Sequence, residues 1–155
     1  MRKIAGLAAA LLLALLSFNA AAAPGRGTEA EAQGLVKKAI QYYDKVGKEK
    51  ALAEFSKSPG PFVDRDLYVV VYDMKGKVLA HGANAKMIGK EVIDLRDNDG
   101  KYFVKERVEM MSKGPDAKGW QDYKFMNPVS RAIEPKSMYL ERFEDVIVGC
   151  GIYKG

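Results

Sequence analysis

The sequence predicts an α+β domain built on an antiparallel sheet. Three observations carry that reading. Glu29–Val46 repeats its apolar residues at helical spacing. The later part of the chain breaks into short β-branched and aromatic runs bounded by turn residues. The connections between those runs are hairpin-like, and the helical segments stand apart from them, which favours antiparallel pairing over a βαβ crossover. A chain of 155 residues, 48% hydrophobic and 29% charged, is enough for one domain with its own core.

The elements follow in order. Ala32, Leu35, Val36, Ala39, Ile40 and Tyr43 share one face of the first helix, with Lys37, Lys38, Gln41 and Asp44 opposite. Thr28 is a suitable N-cap, and Glu29 and Glu31 suit the positive end of the helix dipole. Gly47 ends or bends this helix. A second short helix is expected over 48–57, stopped by Ser58-Pro59-Gly60-Pro61. Leu67–Asp73 (LYVVVYD) reads as a strand buried on both faces. Met74-Lys75-Gly76 connects it to a partner strand over Lys77–His81. Residues 82–89 are expected as a loop or short helical turn, Asp97–Gly100 as a turn and 101–112 as a helix. Three further strands are expected over 119–126, 136–144 and 145–153. One sheet face should carry the long helix, and the other should have room for a pocket.

The first 22 residues read as a secretory signal peptide. Arg2 and Lys3 precede the apolar run Ile4–Phe18, and Ala20-Ala21-Ala22 offers a cleavage site. Residues 23–28 form a lead-in and 29–155 the domain. The apolar run is short for a membrane span and no later stretch matches it, so the mature chain is expected to be soluble and periplasmic. Removing Arg2 and Lys3 leaves 23 basic against 20 acidic residues. That balance, in an exported protein, argues against nucleic acid as a partner. One Cys and one His exclude a disulfide framework and a multi-His or Cys-rich metal site, and no cofactor is expected.

The remaining motifs weigh against catalysis. Asp97, Asp99, Gly100 and Glu106 partly match a calcium loop, but Leu95 holds the first ligand position and the flanking helix pair is missing, so the segment reads as a turn. Cys150 with His81 would be a thiol nucleophile and base. The VIVGCGIY context instead makes Cys150 a small buried thiol. No Ser lies in a nucleophile elbow. Gly149 and Gly151 strip one strand face of side chains, which implies a close approach there by a helix or a ligand. Trp120, Asp122 and Lys124 alternate with Gln121, Tyr123 and Phe125, and Lys136, Met138 and Leu140 share a face. If that face is inward, Lys136 is an ammonium among apolar groups, costly unless an anion pairs with it. His81 is then a second donor to such an anion, or else a satisfied structural histidine.

Seven stretches in this order resemble a single Cache domain of the bacterial extracytoplasmic type 2 subclass. They are Leu67–Asp73 with Gly76, Val78–Gly82 with Asn84, Ile88–Lys90, Asp94–Phe103, Gly119–Tyr123 with Pro128, Pro135–Tyr139, and Val148–Tyr153. The resemblance implies a PAS-like antiparallel sheet of five to six strands with a long N-terminal helix and a pocket on the sheet. It further implies a sensor of small molecules, commonly short organic carboxylates, whose outer domain serves a membrane receptor or histidine kinase. By that similarity the ligand-binding residues would come from Tyr72, His81, Trp120, Tyr123, Lys136 and Tyr139. No transmembrane helix follows the domain, so the expectation is a free periplasmic binding protein, not an enzyme, that conveys occupancy of a small organic anion to a signalling partner. The competing expectation is an interaction module without a small ligand, which binds a membrane sensor or dimerises.

Overall fold

The structure, a computed structural model, describes residues 25–155. The expected signal peptide over 1–22 lies outside the described residues. The first helix, α1 (Glu29–Val46), begins at a full capping box: the Thr28 hydroxyl accepts from the Glu31 N–H, and the Glu31 carboxylate accepts from the Thr28 N–H. Its buried stripe is Ala32, Val36, Ala39 and Tyr43, all on the expected apolar face. Gly47, at φ +84°, takes the left-handed step that separates α1 from α2 (Lys48–Phe55). Helix α2 stops two residues short of expectation.

Six strands follow the two helices: β1 (Val63–Asp64), β2 (Leu67–Asp73), β3 (Val78–His81), β4 (Lys118–Met126), β5 (Ile133–Phe143) and β6 (Val146–Tyr153). Helix α3 (Phe103–Met111) lies between β3 and β4. All pairings are antiparallel, in the order β2-β6-β5-β4, with β1 and β3 both pairing with β2. The two-residue β1 was not expected, because so short a run has no periodicity to read. Strand β5 begins three residues before expectation, and Pro135 lies within it opposite Lys124. The proline is tolerated at the end of the β6 ladder, where its carbonyl still accepts from the Lys154 N–H at 2.9 Å. Helix α3 begins two residues late, because the Asp97 carboxylate takes the Lys101 and Asp99 N–H groups into a turn.

The sheet separates two apolar layers. On one face Val69, Val71, Val146, Val148 and Cys150 pack against α1 and α2. On the other, Tyr68, Val70, Tyr72, Tyr123, Met138, Leu140 and Ile147 pack against α3 and the connection that contains Val92. Buried layers on both sides explain why β2 reads as continuously apolar.

The two glycines of β6 serve the second face. The sequence left a helix or a ligand as the body that approaches them; in the structure the atoms beside them belong to the neighbouring strand. A Cβ on Gly151 would stand 2.3 Å from Cε of Lys136, and one on Gly149 would stand 2.8 Å from Cδ2 of Leu140. Lys136, Met138 and Leu140, on the neighbouring strand, lie across the space the glycines leave free. Gly151→Ala therefore pushes directly on the Lys136 side chain. It should cost about 1–3 kcal/mol in urea unfolding. Much of that cost should disappear in a Lys136→Ala background, where Cε is gone; equal costs in both backgrounds would place the strain elsewhere.

Candidate functional site

The second face of the sheet holds the chemistry. Lys136 in β5 sits opposite Tyr153 of β6 and Tyr123 of β4, and its side chain is 1% exposed. Its Nζ donates to the Tyr68 hydroxyl at 2.8 Å and to the Tyr153 hydroxyl at 3.1 Å. The ammonium also lies 4.2 Å from the ring centroid of Tyr68 and 4.5 Å from that of Tyr153, with Phe125 and Tyr123 farther out. No carboxylate oxygen stands within ion-pair distance among the described residues. Burial therefore pulls the Lys136 pKa down to about 7; the Arg107 charge acts in the same direction, while Cys150 and Asp66 oppose it.

The hydroxyl protons can be assigned by counting. Tyr153 Oη accepts from Lys136 and donates to the Met126 carbonyl at 2.8 Å, which uses its single proton. The contact of 3.1 Å between Tyr68 Oη and Tyr153 Oη must then take its proton from Tyr68. Tyr68 has no other obligation for that proton, so it can turn toward a ligand at the expense of one neutral hydrogen bond. Burial raises the pKa of both phenols, so they stay protonated.

His81 ends β3 and stacks on Tyr68, with ring centroids 5.1 Å apart. Its Nδ1 accepts from the N–H groups of Asn84 at 2.9 Å and Ala83 at 3.2 Å. Nδ1 is therefore unprotonated, and the ring carries its hydrogen on Nε2. Burial, reinforced by the Lys136 charge, lowers the His81 pKa to about 3, so the ring is a neutral donor.

Tyr68 and His81 form the inner wall of a cavity of about 440 Å³, the size of an ordinary small-molecule site. Phe125, Met126, Pro128 and Ala83 supply its apolar sides, and Asn84, Lys86 and Arg131 stand toward solvent. Lys136 lies directly behind Tyr68. Deeper under the same face, Arg107 of α3 is fully buried. Nε and Nη2 donate to Oε1 of Gln121, and Nη1 donates to the Tyr72 hydroxyl at 2.8 Å. Gln121 completes the set by donating to the Phe103 carbonyl and the Glu106 carboxylate.

Four of the six residues expected at the site share this face. His81 lines the cavity and Lys136 backs it. Tyr72 and Tyr123 lie deeper, around the Arg107 guanidinium. Trp120 and Tyr139 do not join them. They stand opposite each other across β4 and β5 with rings 5.3 Å apart, on the α1 side of the sheet. Alternation along each strand forces this: Lys136 and Tyr139 are three residues apart, as are Trp120 and Tyr123, and an odd spacing puts them on opposite faces. The same rule would have found Tyr68, which shares its face with Tyr72. Arg107, Lys86 and Arg131 carried no sequence signal, because each is one cation among many.

The sheet also lies between Cys150 and His81, which belong to opposite faces, so they form no nucleophile and base pair. Burial pushes the Cys150 thiol up to about 12. Among the described residues no group of three or more His, Cys, Asp or Glu side chains is placed to hold a metal ion, and no helix is long and apolar enough to cross a membrane.

The fold is shared with solved sensor domains. A methyl-accepting chemotaxis protein from Vibrio parahaemolyticus RIMD 2210633 superposes with a TM-score of 0.67 at 22% identity, covering 80% of this chain and 86% of that one. The periplasmic sensor domain of a chemotaxis protein gives a TM-score of 0.62 at 22% identity over 81% of this chain and 90% of that one. A Cache chemosensory domain described for its recognition of carboxylic acids gives 0.68 at 20% identity over 81% and 92%. No relative is found among curated proteins. The family model for Single Cache domain 2 matches residues 6–155. A long N-terminal helix on one face of a six-stranded antiparallel sheet, a pocket on the other and a match over nearly the whole chain make this protein a member of the Single Cache domain 2 family.

Proposed function

We propose that this domain is a periplasmic receptor for a small organic carboxylate, and that it passes occupancy to a signalling partner without catalysing a reaction. The observation that supports this best is the Lys136 ammonium. It is buried behind the cavity wall and held by neutral hydroxyls and aromatic faces, and no carboxylate among the described residues stands within ion-pair distance of it. A carboxylate in the cavity would accept from the Tyr68 hydroxyl, whose proton is free to turn, and from Nε2–H of His81. The positive charge behind Tyr68 polarises that hydroxyl toward the anion, in a setting where charge-assisted bonds are strong. Phe125, Met126 and Pro128 would cover the apolar part of the ligand. The carboxylic-acid recognition described for a structural neighbour points the same way.

A thermal-shift screen tests the reading with acetate, propionate, lactate, pyruvate, succinate and a set of amino acids. A ligand at about 100 times its Kd adds roughly 2.7 kcal/mol to stability. The shift should be confined to carboxylates without an ammonium group. Lys136→Met should weaken binding roughly 10- to 100-fold while leaving the melting temperature equal or higher, because it removes a buried charge. An unaltered shift in that variant would take Lys136 out of the site. A flat response in the wild type would remove the carboxylate reading and favour an interaction module.

Affinity should also depend on pH with a definite sign. An anion favours the protonated ammonium, so binding above pH 7 draws in a proton that the empty site lacks. Calorimetric Kd values for a bound carboxylate should be nearly constant from about pH 5 to 7. Above pH 7 they should rise, by up to about tenfold per unit. Below pH 7 His81 adds no step, because it stays neutral to about 3.

A further inference from the structure

The mouth of the cavity is positively charged without compensation. Its lining contains Lys86 and Arg131 and no acidic residue. Both side chains are exposed, and neither has a hydrogen-bond or ion-pair partner among the described residues. The case of Arg131 is informative because a carboxylate is three residues away. Glu134 is instead fully engaged: it accepts from Arg26 at 2.6 Å, from Ser130 at 2.6 Å and from Asn127 at 3.2 Å.

The turn that presents Arg131 is tightly built. Asn127 Oδ1 accepts from the Val129 N–H, the Asn127 carbonyl accepts from the Arg131 N–H, and the Ala132 carbonyl accepts from the Asn127 N–H. Within it Arg131 holds φ at +63°, a left-handed conformation that a non-glycine residue adopts at a cost. Across the mouth, the Asn84 side chain accepts the Lys86 N–H and fixes the short helical turn Ala85–Met87 that carries Lys86. Two preorganised turns thus bring two unpaired cations to the rim of a cavity whose inner wall already has donors for one carboxylate.

From this we infer that the ligand carries two carboxylates. One end meets Tyr68 Oη and His81 Nε2–H at the inner wall, and the other meets Arg131 and Lys86 at the mouth. The inference rests on the carboxylate reading of the inner wall and assigns the rim its own role, selection of dicarboxylates over monocarboxylates of equal chain length.

The test compares succinate with butyrate, and glutarate with pentanoate, by calorimetry near neutral pH on the mature chain. Each diacid should bind at least about fivefold tighter than its monoacid, as expected for solvent-exposed ion pairs acting together. The preference should fall when ionic strength rises from about 0.01 M to about 1 M, which shortens the screening length from about 30 Å to about 3 Å. It should also fall in the double variant Lys86→Gln, Arg131→Gln, checked for an unchanged melting temperature, because the diacid loses more affinity there than the monoacid does. A monoacid that binds as tightly as its diacid overturns the two-ended ligand and leaves the carboxylate reading standing. A diacid preference that survives both salt and the double variant overturns the assignment to Arg131 and Lys86. Absence of binding by all four acids overturns this inference and the carboxylate reading together.

Discussion

Burying the ammonium of Lys136 is the constraint around which the second face of this sheet is arranged. Removing such an ion from water costs several kcal/mol unless its surroundings compensate. Here the compensation is neutral: two phenol oxygens within hydrogen-bond distance and a shell of aromatic faces. Each part constrains another residue. The side chain can lie flat across β6 only because Gly151 has no Cβ. Tyr153 holds its place because its own proton goes to the Met126 carbonyl, at the start of the turn that shapes the cavity mouth. Tyr68 is left with the one adjustable proton, and it forms the cavity wall.

Arg107 shows what a completed version of this arrangement looks like. It too is a buried cation without a carboxylate in direct contact, and Tyr72, Phe103 and Tyr123 surround it with rings. Its guanidinium is closed off by Gln121, which passes the interaction on to Glu106 through its own amide. The charge of Glu106 thus reaches Arg107 through one bridging side chain. Among the described residues Lys136 has no such bridge to an acid. The two cations share Tyr123 as a neighbour, yet Arg107 is linked to an acid through Gln121, whereas Lys136 lies behind the cavity wall on neutral hydroxyls.

The sequence made the architecture readable because its strongest signals are periodic. The capping box at Thr28, the stripe from Ala32 to Tyr43 and the alternation in β4 each belong to one element and require no knowledge of the rest. The site was only half readable, for a related reason. Alternation places Lys136 with Met138 and Leu140, and it makes a charge on an inward face conspicuous. It also separates Trp120 from Tyr123 and Tyr139 from Lys136, so a list drawn from family resemblance alone had to include residues from both faces. Arg107, Arg131 and Lys86 could not be singled out. Their roles depend on which acids are already engaged, and pairings such as Arg26 with Glu134, 108 residues apart, leave no mark in local sequence. The glycines of β6 posed the right question, but the answer lay in a lysine of the neighbouring strand.

Glu134 connects the cavity mouth to the start of α1. Its carboxylate, held down to about 2 chiefly by Arg26, is divided among Arg26, Ser130 and Asn127. Ser130 and Asn127 belong to the turn that lines the mouth, whereas Arg26 lies just ahead of the Thr28 cap. Arg26 also donates to the Tyr153 carbonyl, and its own carbonyl accepts from Arg65. Beside it, the Gly27 N–H donates to the buried Asp66 carboxylate at 2.7 Å. The segment that fixes where α1 begins is therefore bonded to the same residues that shape the pocket rim, although the helix packs on the opposite face of the sheet. A displacement of the rim turn would have to be absorbed by Glu134 or transmitted to Arg26. Glu134 is bonded on both sides and largely buried, so a single carboxylate ties the rim turn to the residues just ahead of the helix.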